Sequence, residues 1–445
     1  MRSFRRNSNQ KMTKKYYIIG GILALLLITV GAFLATGQNK PKPSDEKIEI
    51  TWWKTFEDSE NVSDLIQDFE TANKNVVVNF VKKDAATYES DLVDALASGS
   101  GPDIFSIHND WLPKHIDKIV PLPDTAISLR AYQDSFVDVA YGDFVKDGKI
   151  YAVPLTVDVL ALYYNKDILG SAGISQPATT WPELVSDVQK ITKVSKSGVF
   201  SRSGIALGTA ANINRAVDVL TLLMMQNGTQ FYTDDFSSAS FDQSQSVSGT
   251  EQGFNPGATA MAFYTQFANP AKTSYTWNVK SDFSVDAFTQ GKLGMMISYQ
   301  YMEPLIKAKA LNLNWGVSAI PQVSDESSKI NFANYWGEAI SKNSKNKQAA
   351  ADFLAFISSK DGLTKYYASH KLISSRKDVI ATQISDTEIG VFAEGVLTAR
   401  SVYKRDANVY ESVFLKMIND VILNSMEPEE ALRNGVSQIN LNLQK

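Results

Sequence analysis

An alternation running from Ile48 to Ile107 limits the fold more than any other feature of the chain. The hexapeptide IEITWW beginning at Ile48 alternates as a strand. Residues 62–73 follow at helical spacing, with Val62, Leu65, Ile66 and Phe69 on one face. Residues 76–81 form a β-branched run. A second helix is predicted over 88–98, with Leu92, Val93 and Leu96 inward and the glycines at 99 and 101 as its stop. Residues 103–107 then read as a short buried strand. This β-α-β-α-β order is the pattern of an α/β layer with a largely parallel sheet. Such sheets bind ligands beyond the carboxyl ends of their strands. Here those ends carry Trp53-Lys54-Thr55 and His108-Asn109-Asp110-Trp111.

A second constraint is the apolar stretch 148–167, GKIYAVPLTVDVLALYYNKD. It starts at an Asp147-Gly148 turn, and residues 150–153 read as a strand ended by Pro154. Another strand is expected over 159–164, mixed enough in β-branched, aromatic and Leu residues for burial on both faces. Asp158 stands at the joint between them. Two buried strands joined directly, with a carboxylate at the joint, suggest a crossing between two lobes.

The chain is 445 residues long and 44% hydrophobic, enough for two or three domains with a large core. It has no cysteine, which excludes disulfides, thiolate catalysis, Cys-based metal sites and a lipoprotein anchor. The beginning differs from the rest. Six basic residues from Arg2 to Lys15 precede an apolar run from Tyr16 to Leu34, and no acidic residue occurs before Asp45. That run can span about 28 Å as a helix, close to the hydrocarbon thickness of a bilayer. Its length favours an uncleaved anchor over a signal peptide, although Ala35-Thr36-Gly37 is a serviceable cleavage site. The basic cluster then stays cytoplasmic and the C-terminal part lies outside. The expected layout is a basic tail over 1–15, a transmembrane segment over 16–35 and a polar linker over 36–47. Seven of the 44 basic residues fall in the first 40 positions, leaving 37 against 48 acidic ones, a net charge of −11. An acidic ectodomain argues against nucleic acid or anionic lipid as partner.

Further along, Thr180-Trp181-Pro182-Glu183 reads as a helix start. Helices are predicted over 213–226, 258–267, 283–289 and 348–358. Strands are predicted over 293–297, 315–320 and 335–340. The polar segment 229–255 reads as a surface excursion. From about 376 onward the pattern is helical, with no further strand expected.

Catalytic signatures are sparse. The three histidines, His108, His115 and His370, lack zinc spacing, and there is no Gly-rich phosphate loop or nucleophile elbow. Asp110 and Asp158 could pair as acid and base of a glycosidase, or accept hydrogen bonds from sugar hydroxyls. Aromatics gather at loop positions: Trp52, Trp53, Trp111, Tyr299, Tyr301, Tyr335, Trp336 and Tyr410. Several stand beside polar residues, as with Asp110 and Trp111, Gln300 and Tyr301, and Trp336 and Glu338. Flat apolar faces beside planar hydrogen-bonding groups suit sugars, and a buried core role is the competing reading of each ring. Acidic and aromatic residues would also suit a polyamine.

In this order the chain resembles the family 1 extracellular solute-binding proteins of ABC importers, the group that includes maltose-binding protein. The resemblance covers about residues 48 to 440. Its marks are Gly101-Pro102-Asp103-Ile104-Phe105, Tyr151-Ala152-Val153-Pro154, and Ala161-Leu162-Tyr163-Tyr164-Asn165-Lys166-Asp167. Thr180-Trp181-Pro182-Glu183-Leu184, Ala287-Phe288-Thr289-Gln290-Gly291-Lys292, Ala319-Ile320-Pro321 and the run from Ala339 to Lys347 continue it. The resemblance implies a two-lobed α/β fold of the periplasmic-binding-protein type II class, preceded here by one transmembrane helix, with a ligand cleft and hinge closure. It places 48–157 and 320–372 in the first lobe, and 160–318 and 374–445 in the second. It implies a sugar or oligosaccharide as solute, delivered to ABC permease subunits by a monomer without cofactor or metal. By matching position it assigns ligand contacts to Trp53, Lys54, Asn109, Asp110, Trp111, Asp158, Asn212, Asn214, Tyr299, Tyr301, Trp336, Glu338 and Tyr410. A different solute, a surface glycosidase and a carbohydrate-adhesion module are the alternatives.

Overall fold

The computed structural model describes residues 47–246, 253–324, 328–368 and 371–444. The expected anchor and nearly all of the linker lie outside these residues. Among the described residues no helix is long and apolar enough to cross a membrane.

The opening alternation folds as predicted: β1 (Ile48–Lys54), α1 (Ser59–Ala72), β2 (Val76–Lys82), α2 (Tyr88–Ser98) and β3 (Ile104–His108). β1 lies between β2 and β3 and is parallel to both. Next come β4 (Ile119–Val120), β5 (Ala152–Pro154), β6 (Asp158–Val159) and β7 (Ala161–Asn165). The middle of the chain supplies α3 (Trp181–Ile191), β8 (Lys193–Val194), β9 (Phe200–Ile205), α4 (Ala216–Gln226), β10 (Leu293–Ser298) and β11 (Trp315–Ser318). The last part supplies β12 (Asn331–Asn334), β13 (Trp336–Ser341), α5 (Lys347–Ile357), β14 (Ala399–Arg400), α6 (Ala407–Asn424) and α7 (Pro428–Leu443).

The longer strands form two sheets. The first has the order β2-β1-β3-β13-β4, with β5 also paired to β13, and the second β8-β9-β10-β7-β11. Between them in sequence stands a ribbon of order β14-β12-β6. The chain leaves the first sheet at β5, pairs in the ribbon as β6, and enters the second sheet as β7. It returns from β11 through β12 to β13. The 148–167 stretch is therefore a crossing, as its sequence suggests.

Local chemistry explains the elements. Trp52 is fully buried, edge-on to Phe80 at 5.4 Å and to Phe353 at 5.3 Å. Phe69 of α1 meets Phe353 at 5.1 Å, so α1 and α5 share one apolar seam. Burial of each such ring contributes on the order of 2–3 kcal/mol. α3 opens with a capping box, the Thr180 side chain accepting from the Glu183 N–H and Glu183 answering the Thr180 N–H. Asp147 and Gly148 both have positive φ, 51° and 70°, as a tight hairpin turn requires. Gly337 admits no side chain: a Cβ there would lie 2.5 Å from the Phe144 ring and 3.1 Å from the Ala152 methyl.

Several expectations are corrected. The strand expected over 159–164 is divided at Leu160, because Val159 pairs with Ala333 in the ribbon while Ala161 pairs with Ser298 in the second sheet. The helix expected from 213 begins at Ala216, since Arg215 adopts left-handed φ of 62° at its N-cap. The strand expected over 315–320 stops at Ser318. A strand does occur after 376: β14 pairs with β12. At two residues it is too short to show a period, and its partner strand fixes it.

Candidate functional site

Two groups of side chains converge where the ribbon meets the two sheets. The first sits at the ends of β3 and β13. Trp336, the first residue of β13, is half-buried and meets Trp111 edge-to-face at 5.0 Å. His108 and Tyr88 touch the same ring at 5.3 and 5.9 Å, and the exposed Phe56 ring lies 5.7 Å away. Trp111 also stacks on Tyr88 at 6.1 Å. Below this cluster Glu338 is fully buried. Its carboxylate accepts from Trp52 Nε1 at 2.7 Å, Lys54 Nζ at 2.6 Å and Ser106 Oγ at 2.9 Å. Lys54 and Glu338 are thus joined to each other beneath the rings. Burial, with the Glu338 charge next, pushes the Tyr88 phenol well above its ordinary value.

A polar chain runs from the same strand end. The His108 ring nitrogens lie 2.6 Å from Asp110 Oδ1 and 2.8 Å from Asn334 Oδ1. Lys404, in the segment between β14 and α6, donates to Asp110 Oδ2 at 2.9 Å. Its ammonium lies 5.2 Å from the Tyr410 ring and 5.8 Å from the Phe332 ring. Burial alone would raise the Asp110 pKa, but His108 and Lys404 outweigh it and hold the carboxyl well below the usual range. Next to it, Asp143 accepts from Asn109 Nδ2 at 3.0 Å, from Tyr335 Oη at 2.6 Å, and from the Ser401 hydroxyl. Burial pushes the Asp143 carboxyl up to about 6 against these hydrogen bonds. Asn109 Oδ1 is buried and has no hydrogen-bond partner among the described residues.

The second group is built on β6, β10 and the start of α4. Asp158 Oδ1 accepts from the backbone N–H of Val159 at 2.8 Å and of Gln300 at 2.9 Å, and Oδ2 accepts from the Tyr301 N–H at 3.1 Å. Burial raises its pKa to about 7, with the three N–H groups opposing. Asp158 thereby sets the turn that displays Tyr301, whose ring is half exposed and stacks on buried Tyr299 at 5.7 Å. Tyr299 donates to Asp218 Oδ2 at 2.8 Å and accepts, through its carbonyl, from the Tyr163 hydroxyl at 2.7 Å. Arg215 pairs with Asp218 at 2.6 Å and lies over the Tyr299 ring at 5.3 Å.

The residues singled out in the sequence divide accordingly. Trp111, Trp336, Lys54, Glu338, Asn109 and Asp110 gather on the first sheet. Asp158, Tyr299 and Tyr301 gather on the second group, with Asn214 bonding Ser298 Oγ at 3.1 Å. Asn212 donates to the carbonyls of Asn278 and Ser281 at 2.9 and 3.0 Å, which ties down a loop. Tyr410 is buried, stacked on Phe414 at 4.1 Å with its hydroxyl 3.3 Å from Thr221 Oγ1. Trp53 lies under Lys83 Nζ at 4.2 Å and shares no ring contact with the Trp336 cluster among the described residues. Sequence reasoning missed Phe56, Tyr88, Asp143, Arg215, Asp218 and Lys404. Tyr88 had a signal, an aromatic at a helix start facing a strand end, whereas Lys404 had none. Among the described residues no cluster of acids and histidines could hold a metal ion.

Two sheets on an α/β plan, crossed by a ribbon and lined by aromatic and charged side chains at strand ends, define a two-lobed binding-protein fold. Residues 64–392 match the family described as bacterial extracellular solute-binding protein, and the chain belongs to that family. It is 24% identical over 391 residues to a Brucella abortus chain whose name says only that it binds, covering 85% of this chain and 88% of that one. It is 22% identical over 358 residues to the galactooligosaccharide-binding protein of Bacillus subtilis, covering 80% and 79%. Among solved structures it matches the cyclic α-maltosyl-1,6-maltose binding protein of Arthrobacter globiformis with a TM-score of 0.73 at 20% identity, over 89% of this chain and 99% of that one.

Proposed function

We propose that this chain is the extracytoplasmic sugar-binding component of an ABC importer, which holds a carbohydrate between its lobes and presents it to membrane permease subunits. The observation that carries this reading is the pairing of two aromatic displays. Half-buried Trp336 and Trp111 face out from the first sheet, and half-exposed Tyr301 from the second group. Beside the first display the polar chain holds Asp110 and Lys404, paired with each other, and the unpartnered Asn109 Oδ1. Rings supply stacking surfaces for C–H faces, and the polar groups supply acceptors and donors for hydroxyls. The relatives named for galactooligosaccharide and cyclic maltosyl-maltose support the same solute class.

On this reading residues 48–157 and 320–372 make one lobe, residues 160–318 and 374–445 the other, and the ribbon is the hinge. Residues 16–35 tether the receptor beside its transporter. A receptor fits better than a glycosidase, because Asp110 is ion-paired and Asp158 is engaged by three backbone N–H groups. Neither carboxylate is placed as a free acid and base couple. Calorimetric titration with oligosaccharides tests the reading, and the absence of saturable binding by any of them would refute it.

A further inference from the structure

A second concavity, of about 740 Å³, lies apart from these residues, between the end of α4 and the segment that follows β14. Three rings form its aromatic side. Phe236 and Tyr403 stand 5.0 Å apart, Tyr232 and Tyr403 5.5 Å, and Tyr232 and Phe236 6.1 Å. Phe236 is 52% exposed and has φ of 56°, a left-handed conformation that is unfavourable for a bulky side chain. Its turn is held by local hydrogen bonds. The Asp235 carboxylate accepts from Thr233 Oγ1 at 2.7 Å, from the Ser237 N–H at 3.1 Å and from Ser237 Oγ at 2.7 Å. The Phe236 N–H donates to the Thr233 carbonyl at 2.9 Å. The chain thus fixes an exposed phenyl ring in a strained turn at the mouth of a cavity. Strain that the surrounding turn maintains is a mark of functional positions.

The polar lining is partly unused. Thr229 Oγ1 is buried and has no hydrogen-bond partner among the described residues. The exposed Arg400 side chain makes no ion pair or hydrogen bond among them either. A guanidinium fork beside three rings repeats the chemistry of sugar recognition, hydrogen bonds at the rim and flat apolar faces below. The volume falls within the range of small-ligand sites. The ectodomain's acidity disfavours nucleic acid.

We infer that this groove is a second carbohydrate site, which takes a short stretch of neutral oligosaccharide on Phe236 and Tyr403 with Arg400 at its hydroxyl rim. The ligand class rests on the sugar reading given above, but the site does not share its residues. The two sites border one short segment. Ser401, which lines the groove, donates to Asp143, and Lys404, next to Tyr403, donates to Asp110.

Ligand-observed saturation-transfer NMR on the full chain tests the inference, with maltotriose, raffinose and cellotriose as probes. Wild type, Trp336→Ala, and Trp336→Ala combined with Phe236→Ala and Arg400→Met are compared. Phe236 and Arg400 are exposed, so unchanged circular-dichroism melts confirm that the fold survives. The expected result is a signal from at least one probe that persists in Trp336→Ala and falls at least fivefold when the groove substitutions are added. Absence of any signal in Trp336→Ala, or a signal that survives the groove substitutions, overturns the groove site. The cleft reading stands or falls separately, on whether Trp336→Ala removes tight binding measured by calorimetry.

Discussion

Lys404 Nζ and Asp110 Oδ2 lie 2.9 Å apart, and this ion pair joins the segment between β14 and α6 to the loop after β3. Both side chains are almost fully enclosed, at 12% and 3% exposure. An enclosed ion pair offsets the desolvation of its members only while both are present. Lys404→Met should therefore destabilise the protein by about 3 kcal/mol. Adding Asp110→Asn should recover part of that loss, because the uncompensated charge disappears. Urea denaturation of the two single variants and the double variant measures the coupling, and purely additive effects would show that the pair does not interact.

Trp336 carries edge-to-face contacts on several sides and still keeps part of its ring open. As a central aromatic anchor it should contribute about 2 kcal/mol or more to ligand binding, roughly a 30-fold change in Kd on Trp336→Ala. Calorimetry with the best-bound sugar is the measurement. An unchanged Kd would remove Trp336 from the site.

Asp158 reads in the sequence as a ligand acceptor. The structure gives its carboxylate three backbone N–H donors that shape the turn at Tyr301. Asp158→Ala should leave these donors without their acceptor and lower stability by about 2–3 kcal/mol. A weaker ligand affinity should follow from a displaced Tyr301. Thermal melting of the unliganded variant decides, and an unchanged melting temperature with weakened binding would restore the simpler ligand role.

The buried carboxyls give a pH signature. Asp143 is raised to about 6 and Asp158 to about 7, each chiefly by burial. A carboxyl whose folded pKa exceeds its unfolded value near 3.9 stabilises the fold fully below that unfolded value. The contribution is lost as pH rises through the folded pKa. Asp110, held low, behaves oppositely and is already fully ionised above pH 5. Between pH 5 and 8 wild type should thus lose on the order of 1–2 kcal/mol relative to Asp143→Asn. In that variant the amide oxygen can still accept from Asn109 and Tyr335, and the Ser401 hydroxyl can turn to accept. Melting curves of both proteins across this range test the sign, and parallel curves would contradict it.

The fold was legible where the period of the chain is long enough to read. The β-α-β-α-β opening, the crossing at 148–167 and the capped start of α3 follow from apolar spacing and turn chemistry within a few residues of each other. The part of the candidate site legible in the sequence lies at strand ends, where Trp111 and Trp336 stand beside polar neighbours. It was not legible where partners are distant. Lys404 meets Asp110 across 294 residues, and no local pattern marks a lysine between a two-residue strand and a helix as buried. Glu338 and Lys54 were found as residues, but their mutual burial under the rings depends on sheet register, Glu338 lying opposite Ser106. β14 escaped because two residues have no period, and the groove at Phe236 because its three rings come from two distant segments.

The most direct test of the account is calorimetric titration of the full chain with a panel of neutral oligosaccharides, run in parallel on wild type and Trp336→Ala. The account predicts one tight, saturable site for at least one sugar, weakened roughly 30-fold or more by Trp336→Ala. No saturable binding at millimolar sugar, or tight binding that Trp336→Ala leaves unchanged, would contradict it.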